Sequence, residues 1–129
     1  MAVTALDVRN IALQLPRAYE AWVRDYRKFR VGQIVFASVS PDETQLGFGF
    51  PREERDDLIA SEPDKFFLPR PSDLRYRWVC AWLAALDRNE LNELIVDAWA
   101  MCVPKSVSKA YFTQLGDLPP GQLRDGPVE

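Results

Sequence analysis

Two short segments of the chain carry basic and aromatic side chains in close alternation, a combination suited to binding nucleic acid. Residues 22–30 hold four cations against one carboxylate, and residues 65–78 also hold four against one. Lysine and arginine contact phosphates, whereas unpaired bases stack on aromatic rings. The sequence therefore predicts a nucleic-acid site whose cations are Arg24, Arg27, Lys28, Arg30, Arg75 and Arg77 and whose groove aromatics are Trp22, Tyr26, Tyr76 and Trp78.

The acidic remainder of the chain limits the strength of such binding. Residues 42–64 contain eight carboxylates against two arginines, and the formal net charge of the whole chain is −3. An acidic protein is repelled by nucleic acid unless its cations are sorted into a patch. We therefore expect DNA to be bound weakly and with little sequence preference.

A protein partner is the alternative ligand. In that interpretation the sheet or an aromatic groove binds a partner chain, as a chaperone or adaptor would. A simpler interpretation of the basic segments is a solvent-facing strand pair whose charge is balanced by the acidic helix. Trp22 and Trp78 suit a groove, because indoles favour sites with one apolar and one wet side. Trp82 and Trp99 lie in apolar patterns and are predicted to belong to the core.

Several kinds of enzymatic site are excluded by composition. The chain has no histidine, which rules out an imidazole zinc site, a Ser-His-Asp triad and a Cys-His dyad. Cys80 and Cys102 stand apart in apolar runs and are predicted to be buried thiols. The Gly47-Phe-Gly49 run lacks the third glycine of a phosphate loop, so these are predicted to be strand glycines closely packed by another element. We expect a non-enzymatic protein with no metal and no cofactor.

Hydrophobic periodicity predicts the elements that would position these side chains. Helical spacing marks four segments and alternation of apolar and polar residues marks the strands, with proline and glycine between them. The predicted helices are 4–15, 51–62, 87–103 and 104–111, and the predicted strands are 19–23, 26–31, 33–39, 45–50 and 76–83, with a short extended piece at 66–68.

This element order predicts an α+β fold with two layers, in which helices pack on one face of an antiparallel sheet of about five strands. The helix from Asp87 to Val103 should cross the sheet through Leu94, Ile95 and Trp99. Residues 1–114 form one predicted domain and residues 115–129 a loose tail. The N-terminus lacks the pattern of a signal peptide and no apolar run could cross a bilayer, so the sequence predicts a cytoplasmic protein without a membrane partner.

The order of these pieces resembles the MmcQ/YjbR family over about residues 4–111. The segments that carry the resemblance are Val8–Pro16, Phe29–Ser40, Pro51–Arg55 with Leu58, Phe66–Phe67, Arg77–Val79 with Leu83, Leu91–Leu94 and Ala98–Lys105. The resemblance implies helices against an antiparallel sheet, as in type III secretion chaperones and frataxin-like domains. It also implies DNA binding through a "double wing" motif, and it supplies no catalytic residues.

Overall fold

The computed structural model describes residues 2–116, which form four α-helices and one sheet. The predicted loose tail lies outside the described residues from position 117 onward, while the last helix extends beyond its predicted end at Tyr111. No helix among the described residues is long and apolar enough to cross a membrane. The elements are α1 (Ala5–Ala12), β1 (Tyr19–Val23), β2 (Tyr26–Val31), β3 (Ile34–Val39), β4 (Gln45–Gly49), α2 (Arg52–Ser61), β5 (Phe66–Phe67), β6 (Trp78–Trp82), α3 (Arg88–Ala100) and α4 (Lys105–Gly116), with short 3-10 turns at Pro71–Asp73 and Leu83–Ala85.

The sheet has six antiparallel strands in the order β1-β2-β3-β4-β6-β5. This confirms the predicted α+β class. The sixth strand is the short extended piece at Phe66–Phe67, which pairs with Ala81 and Cys80 of β6. Two residues are too few for a visible alternation, and for that reason the sequence pattern did not mark them as a strand.

One face of the sheet forms the core with α1 and α3. The strands place there a set of fully buried side chains that oppose one another in the register: Phe29, Ala37, Val39, Leu46, Phe48, Val79 and Ala81. From α3, Ile95 and Trp99 are completely buried and Leu94 is partly buried against the same cluster. The predicted packing of this helix is confirmed.

Local capping fixes where α1 and α3 begin. The Thr4 hydroxyl accepts a hydrogen bond from the Asp7 amide while the Asp7 carboxylate accepts one from the Thr4 amide, which forms a capping box. Asp87 caps α3 by accepting from the Glu90 amide at 2.8 Å. α1 ends at Ala12, three residues before its predicted end.

The opposite face of the sheet, which we call the groove face, carries smaller and more polar residues. Lys28, Ser38, Gly47 and Cys80 lie side by side on it, because each opposes the next in the antiparallel register. The prediction that Trp82 belongs to the core is wrong. Its side chain is 41% exposed and its ring stacks on Phe67, with centroids 4.6 Å apart.

Candidate functional site

A groove of about 760 Å³ lies on the groove face, with residues 68–77 along its wall. Ligand sites for drug-sized molecules have volumes of roughly 300–1,000 Å³. Strand side chains form its floor, residues 68–77 contribute Arg70 and Asp73, and the turn after α3 contributes Met101 and Cys102. The floor and wall residues that concern the chemistry are Tyr26, Lys28, Ser38, Gly47, Arg70, Asp73, Tyr76, Arg77, Trp78 and Cys80.

Strand geometry explains why the floor contains these residues. Successive strand side chains point to opposite faces, so Tyr26 and Lys28 of β2 share the groove face while Arg27 and Phe29 point away. Ser38 of β3 lies directly opposite Lys28, and Gly47 of β4 lies directly opposite Ser38. The floor therefore crosses three adjacent strands at one level.

The indole of Trp78 rests on the floor above Gly47. A Cβ at position 47 would stand 2.7 Å from both Cζ2 and Nε1 of Trp78 and 2.9 Å from Oγ of Ser38. No carbon can be accommodated at those distances, so only glycine allows the indole to lie there. This confirms the prediction that Gly47 marks a place where another group packs closely.

Two arginines of α2 hold the groove wall from behind. The Arg55 guanidinium donates hydrogen bonds to the carbonyl oxygens of Leu74, Tyr76 and Trp78 at 3.1–3.2 Å. Arg52 donates to the carbonyl oxygen of Arg75 at 2.8 Å. Three carbonyls of the segment before β6 and the carbonyl of its first residue, Trp78, thus accept hydrogen bonds from side chains of one helix.

Arg55 is not among the site residues predicted from the sequence, because it lies among the carboxylates of an acidic helix. A signal was nevertheless present. Leu58 and Ile59, which pack against the core, lie three and four residues further along α2, so helical spacing places Arg55 on the same inward stripe.

Burial and three neighbouring charges act on the pKa of Lys28. Burial lowers the pKa of its ammonium group, Asp73 raises it, and Arg30 and Arg70 lower it further. Among residues 2–116 no carboxylate forms an ion pair with Lys28, whose Nζ lies 5.5 Å from the centre of the Tyr26 ring. Asp73 is instead paired with Arg70 at 3.5 Å. Lys28 is therefore a partly desolvated cation with no ion-pair partner among residues 2–116.

The cysteine on the floor is a poor nucleophile. Burial raises the pKa of the Cys80 thiol to about 11, so the thiol is protonated at neutral pH. Burial also raises the pKa of Cys102 at the end of the groove. Within the described residues no group of three or more histidine, cysteine, aspartate or glutamate side chains could hold a metal ion.

The structure brings together only part of the set predicted from the sequence. Tyr26, Lys28, Tyr76, Arg77 and Trp78 all line the groove. The two basic segments are not neighbours in the sheet, because β3 and β4 lie between β2 and β6. They meet at the groove only because residues 68–77 extend along its wall.

The remaining predicted residues lie outside the groove. Arg27 points to the other face of the sheet. There its guanidinium nitrogens lie 3.4 Å from a carboxylate oxygen of Glu20 and 3.6 Å from one of Glu43. The guanidinium carbon also lies 4.9 Å from the centre of the Trp22 ring. Arg24 occupies the exposed turn between β1 and β2. Arg30 is on β2 but does not line the groove, and Arg75 is exposed and donates to the Tyr76 hydroxyl at 2.8 Å.

Four residues that matter to the groove were not among the predicted site residues. They are Ser38, Arg55, Arg70 and Asp73. Arg70 and Asp73 were visible as part of the second basic segment, but Ser38 stands in an otherwise apolar strand and gave no signal of its own.

These features define a class of protein, a small α+β domain with one antiparallel sheet, helices on one face and a ligand-sized groove on the other. The YjbR family model matches residues 13–101, and the chain belongs to the YjbR family. The resemblance noted from the sequence is thereby confirmed.

The fold is shared with a protein of known structure. The crystal structure of Deinococcus radiodurans protein DR2400, which contains a DUF419 domain, matches with a TM-score of 0.69 and 21% sequence identity. The match covers 98% of this chain and 95% of that one. None of the curated proteins matches the chain.

Proposed function

We propose that this protein is a non-enzymatic domain that binds single-stranded DNA weakly through the groove. The observation that carries the proposal is the lining of the groove. Three cations, Lys28, Arg70 and Arg77, accompany the aromatic rings of Tyr26, Tyr76 and Trp78, against the single paired carboxylate of Asp73. Binding of single strands combines a basic groove with rings on which bases stack.

The shape of the site favours a single strand over a duplex. A duplex is read by an element that protrudes into a groove of the DNA or by a broad basic face. Here the cations and rings lie inside a concavity, and Arg27, which would have extended a basic face, is paired with two glutamates on the other side of the sheet. A single strand with its bases unstacked can enter a groove of about 760 Å³, whereas a duplex is too wide to enter it.

The charge of the site sets the strength of binding. About three phosphate contacts on a single strand correspond to a salt slope near −2. With a net charge of −3 on the whole chain, binding in the micromolar range or weaker is expected at physiological salt.

Fluorescence anisotropy with labelled single-stranded and duplex oligonucleotides over a salt series tests the proposal. The wild type should prefer the single strand, and Lys28→Glu combined with Arg77→Glu should weaken binding about tenfold or more. The matched control is Arg24→Glu combined with Lys109→Glu, which changes the charge equally at two exposed residues that do not line the groove. Equal losses in the two double variants, or no binding at low salt, would refute it.

A protein partner is the second candidate, and the stack of the half-buried Phe67 ring on the exposed Trp82 ring favours it. Phe67 lines the groove and Trp82 lies beside it at the edge of the sheet formed by β5. A pull-down from native lysate with and without nuclease separates the two candidates. Loss of the captured material on nuclease treatment supports DNA binding. Capture of a defined protein that survives nuclease treatment and is lost with the Trp82→Ala variant supports a protein partner.

A catalytic role is disfavoured by the chemistry of the groove. The thiol of Cys80 is kept protonated by burial, and the chain has no histidine that could serve as its base. We therefore propose binding alone as the function of this site.

A further inference from the structure

The first strand of the sheet is an open edge. β1 is outermost in the order β1-β2-β3-β4-β6-β5, and within residues 2–116 it pairs only with β2. Proteins usually protect such an edge with proline, lysine, a bulge or a very short strand, because its unpaired amides and carbonyls can bind another strand. β1 has five residues, none of them proline or lysine, and pairs with β2 without a register shift. The opposite edge, β5, has only two residues and is protected by its length.

The side chains of β1 do not repel a second strand. Trp22 is 61% exposed, and Tyr19 and Val23 are exposed as well. The one charged residue of the strand, Glu20, forms ion pairs with Arg9 and Arg27. An incoming strand would therefore bury apolar surface and would meet a carboxylate that is already neutralised.

The hairpin turn after β1 determines which of its backbone groups point outward. The Arg24–Asp25 turn has positive φ at both residues, 51° and 71°, as in a two-residue type I′ turn. In such a hairpin the pair that flanks the turn, Val23 and Tyr26, is hydrogen-bonded, and bonded and non-bonded pairs then alternate along the strands. The amides and carbonyls of β1 that point away from β2 are therefore those of Glu20 and Trp22.

We propose that β1 pairs antiparallel with β1 of a second copy of this chain, about a two-fold axis at Ala21. In this register Glu20 lies opposite Trp22 of the second copy, so every outward amide and carbonyl of the two residues gains a hydrogen bond. Ala21 lies opposite Ala21 of the second copy in a non-bonded pair, where antiparallel strands come closest and a small side chain fits. The contact is isologous, and the sheet continues from one copy into the other.

The pattern of β1 matches itself, which is why the occupant is a second copy. On the groove face Tyr19 lies opposite Val23 of the second copy, and pairs of an aromatic and a β-branched residue stabilise antiparallel strands. On the other face the two Trp22 side chains are diagonal neighbours, about 7–8 Å apart at the backbone and within reach of each other. Arg17, two residues before the strand, lies level with Asp25 of the second copy, two residues after it, so the charges at the ends are opposite.

The short length of β1 makes the dimer weak. A standard interface buries about 800 Å² on each partner, and an edge of five residues falls short of that area. We expect a dissociation constant on the order of 100 µM. No residue of β1 lines the groove, and a two-fold axis perpendicular to the sheet leaves both grooves open on the same side. The dimer is therefore independent of the nucleic-acid binding proposed above.

Sedimentation equilibrium of the full-length protein, over a concentration series that spans the expected dissociation constant, tests the proposal. The wild type should associate reversibly to a dimer. Ala21→Glu should weaken association at least tenfold, because two glutamates would face each other at the axis, and it should fold normally because position 21 lies opposite Lys28 of its own chain. The matched control is Trp82→Ala, which removes an exposed tryptophan outside β1 and should leave association unchanged.

Two outcomes of this measurement would overturn the proposal. A wild type that stays monomeric at every concentration would leave the edge to an extended segment of a different protein. A dimer that Trp82→Ala weakens as much as Ala21→Glu does would place the interface away from β1.

A cysteine at the axis tests the register without relying on charge. Directly opposed antiparallel residues have Cα atoms about 4.5–5.5 Å apart, which suits a disulfide. Only at the axis does a residue oppose its own copy, so Ala21→Cys should form a covalent dimer under mild oxidation and Val23→Cys should form several-fold less. The wild type, with Cys80 and Cys102, gives the background. Equal cross-linking of the two variants, or cross-linking of Ala21→Cys no greater than that of the wild type, would refute an axis at Ala21.

Discussion

The indole of Trp78 occupies the space into which a side chain at position 47 would extend. Both Cζ2 and Nε1 of the indole would lie 2.7 Å from a Cβ at Gly47. The position of the ring on the groove floor therefore depends on the absence of a single methyl group in the adjacent strand.

Gly47→Ala should destabilise the protein by about 1–3 kcal/mol, because the new methyl forces the indole and the Ser38 hydroxyl aside. Gly49→Ala is the matched control. There the nearest heavy atom to a new Cβ, the Cβ of Ala98, is 3.7 Å away, which is ordinary contact. The free energy of unfolding in urea measures both changes. A Gly47→Ala variant as stable as Gly49→Ala would contradict the packing described.

Arg55→Ala should cost about 2–3 kcal/mol, because it removes three charge-assisted hydrogen bonds to carbonyls of the groove wall. Arg52→Ala removes one such bond from an exposed side chain and should cost no more than about 1 kcal/mol. Hydrogen exchange of the amides in residues 74–78 should accelerate in the Arg55 variant alone. Unchanged exchange there would show that α2 does not hold the wall.

Arg27 and Lys28 are adjacent in sequence but should behave in opposite ways. Arg27→Ala should lower the free energy of unfolding by about 1–2 kcal/mol, since it leaves the largely buried Glu20 with fewer partners. It should leave oligonucleotide affinity within about twofold. Lys28→Met should reduce affinity without a comparable loss of stability. Anisotropy and urea unfolding on the same preparations check this, and a large affinity loss in Arg27→Ala would contradict it.

Stability should fall in alkaline solution partly through Cys80. Burial raises the pKa of this thiol from 9.0 to about 11 in the folded protein, so the unfolded chain ionises first as the pH rises. The contribution is intact below pH 9 and is lost progressively between about pH 9 and pH 11.

Cys80→Ala isolates this effect, because every other titrating group is common to both proteins. The difference in unfolding free energy between wild type and Cys80→Ala should be constant below pH 9 and should shift against the wild type above it. The native thiol should also react slowly with a thiol reagent at pH 8 compared with the urea-unfolded chain. A pH-independent difference would show that Cys80 titrates normally.

The sequence by itself determined the local elements of this fold. The capping of α1 by Thr4 and of α3 by Asp87, and the apolar stripe through Ile95 and Trp99, follow from residues three or four positions apart. Such spacings express helix geometry directly, and strand alternation does the same for β2 and β4. The α+β class follows from the order of these elements.

Only the tertiary structure decided which residues form the groove. Alternation shows that Arg27 and Lys28 face opposite ways, but not that Glu20 and Glu43 lie on one side and Asp73 on the other. The apolar run of β6 has the same pattern whichever face is buried, so this pattern predicts a core position for Trp82, which is exposed in the structure. Contacts between distant segments depend on strand order, register and the path of residues 68–77, which no spacing within a single segment expresses.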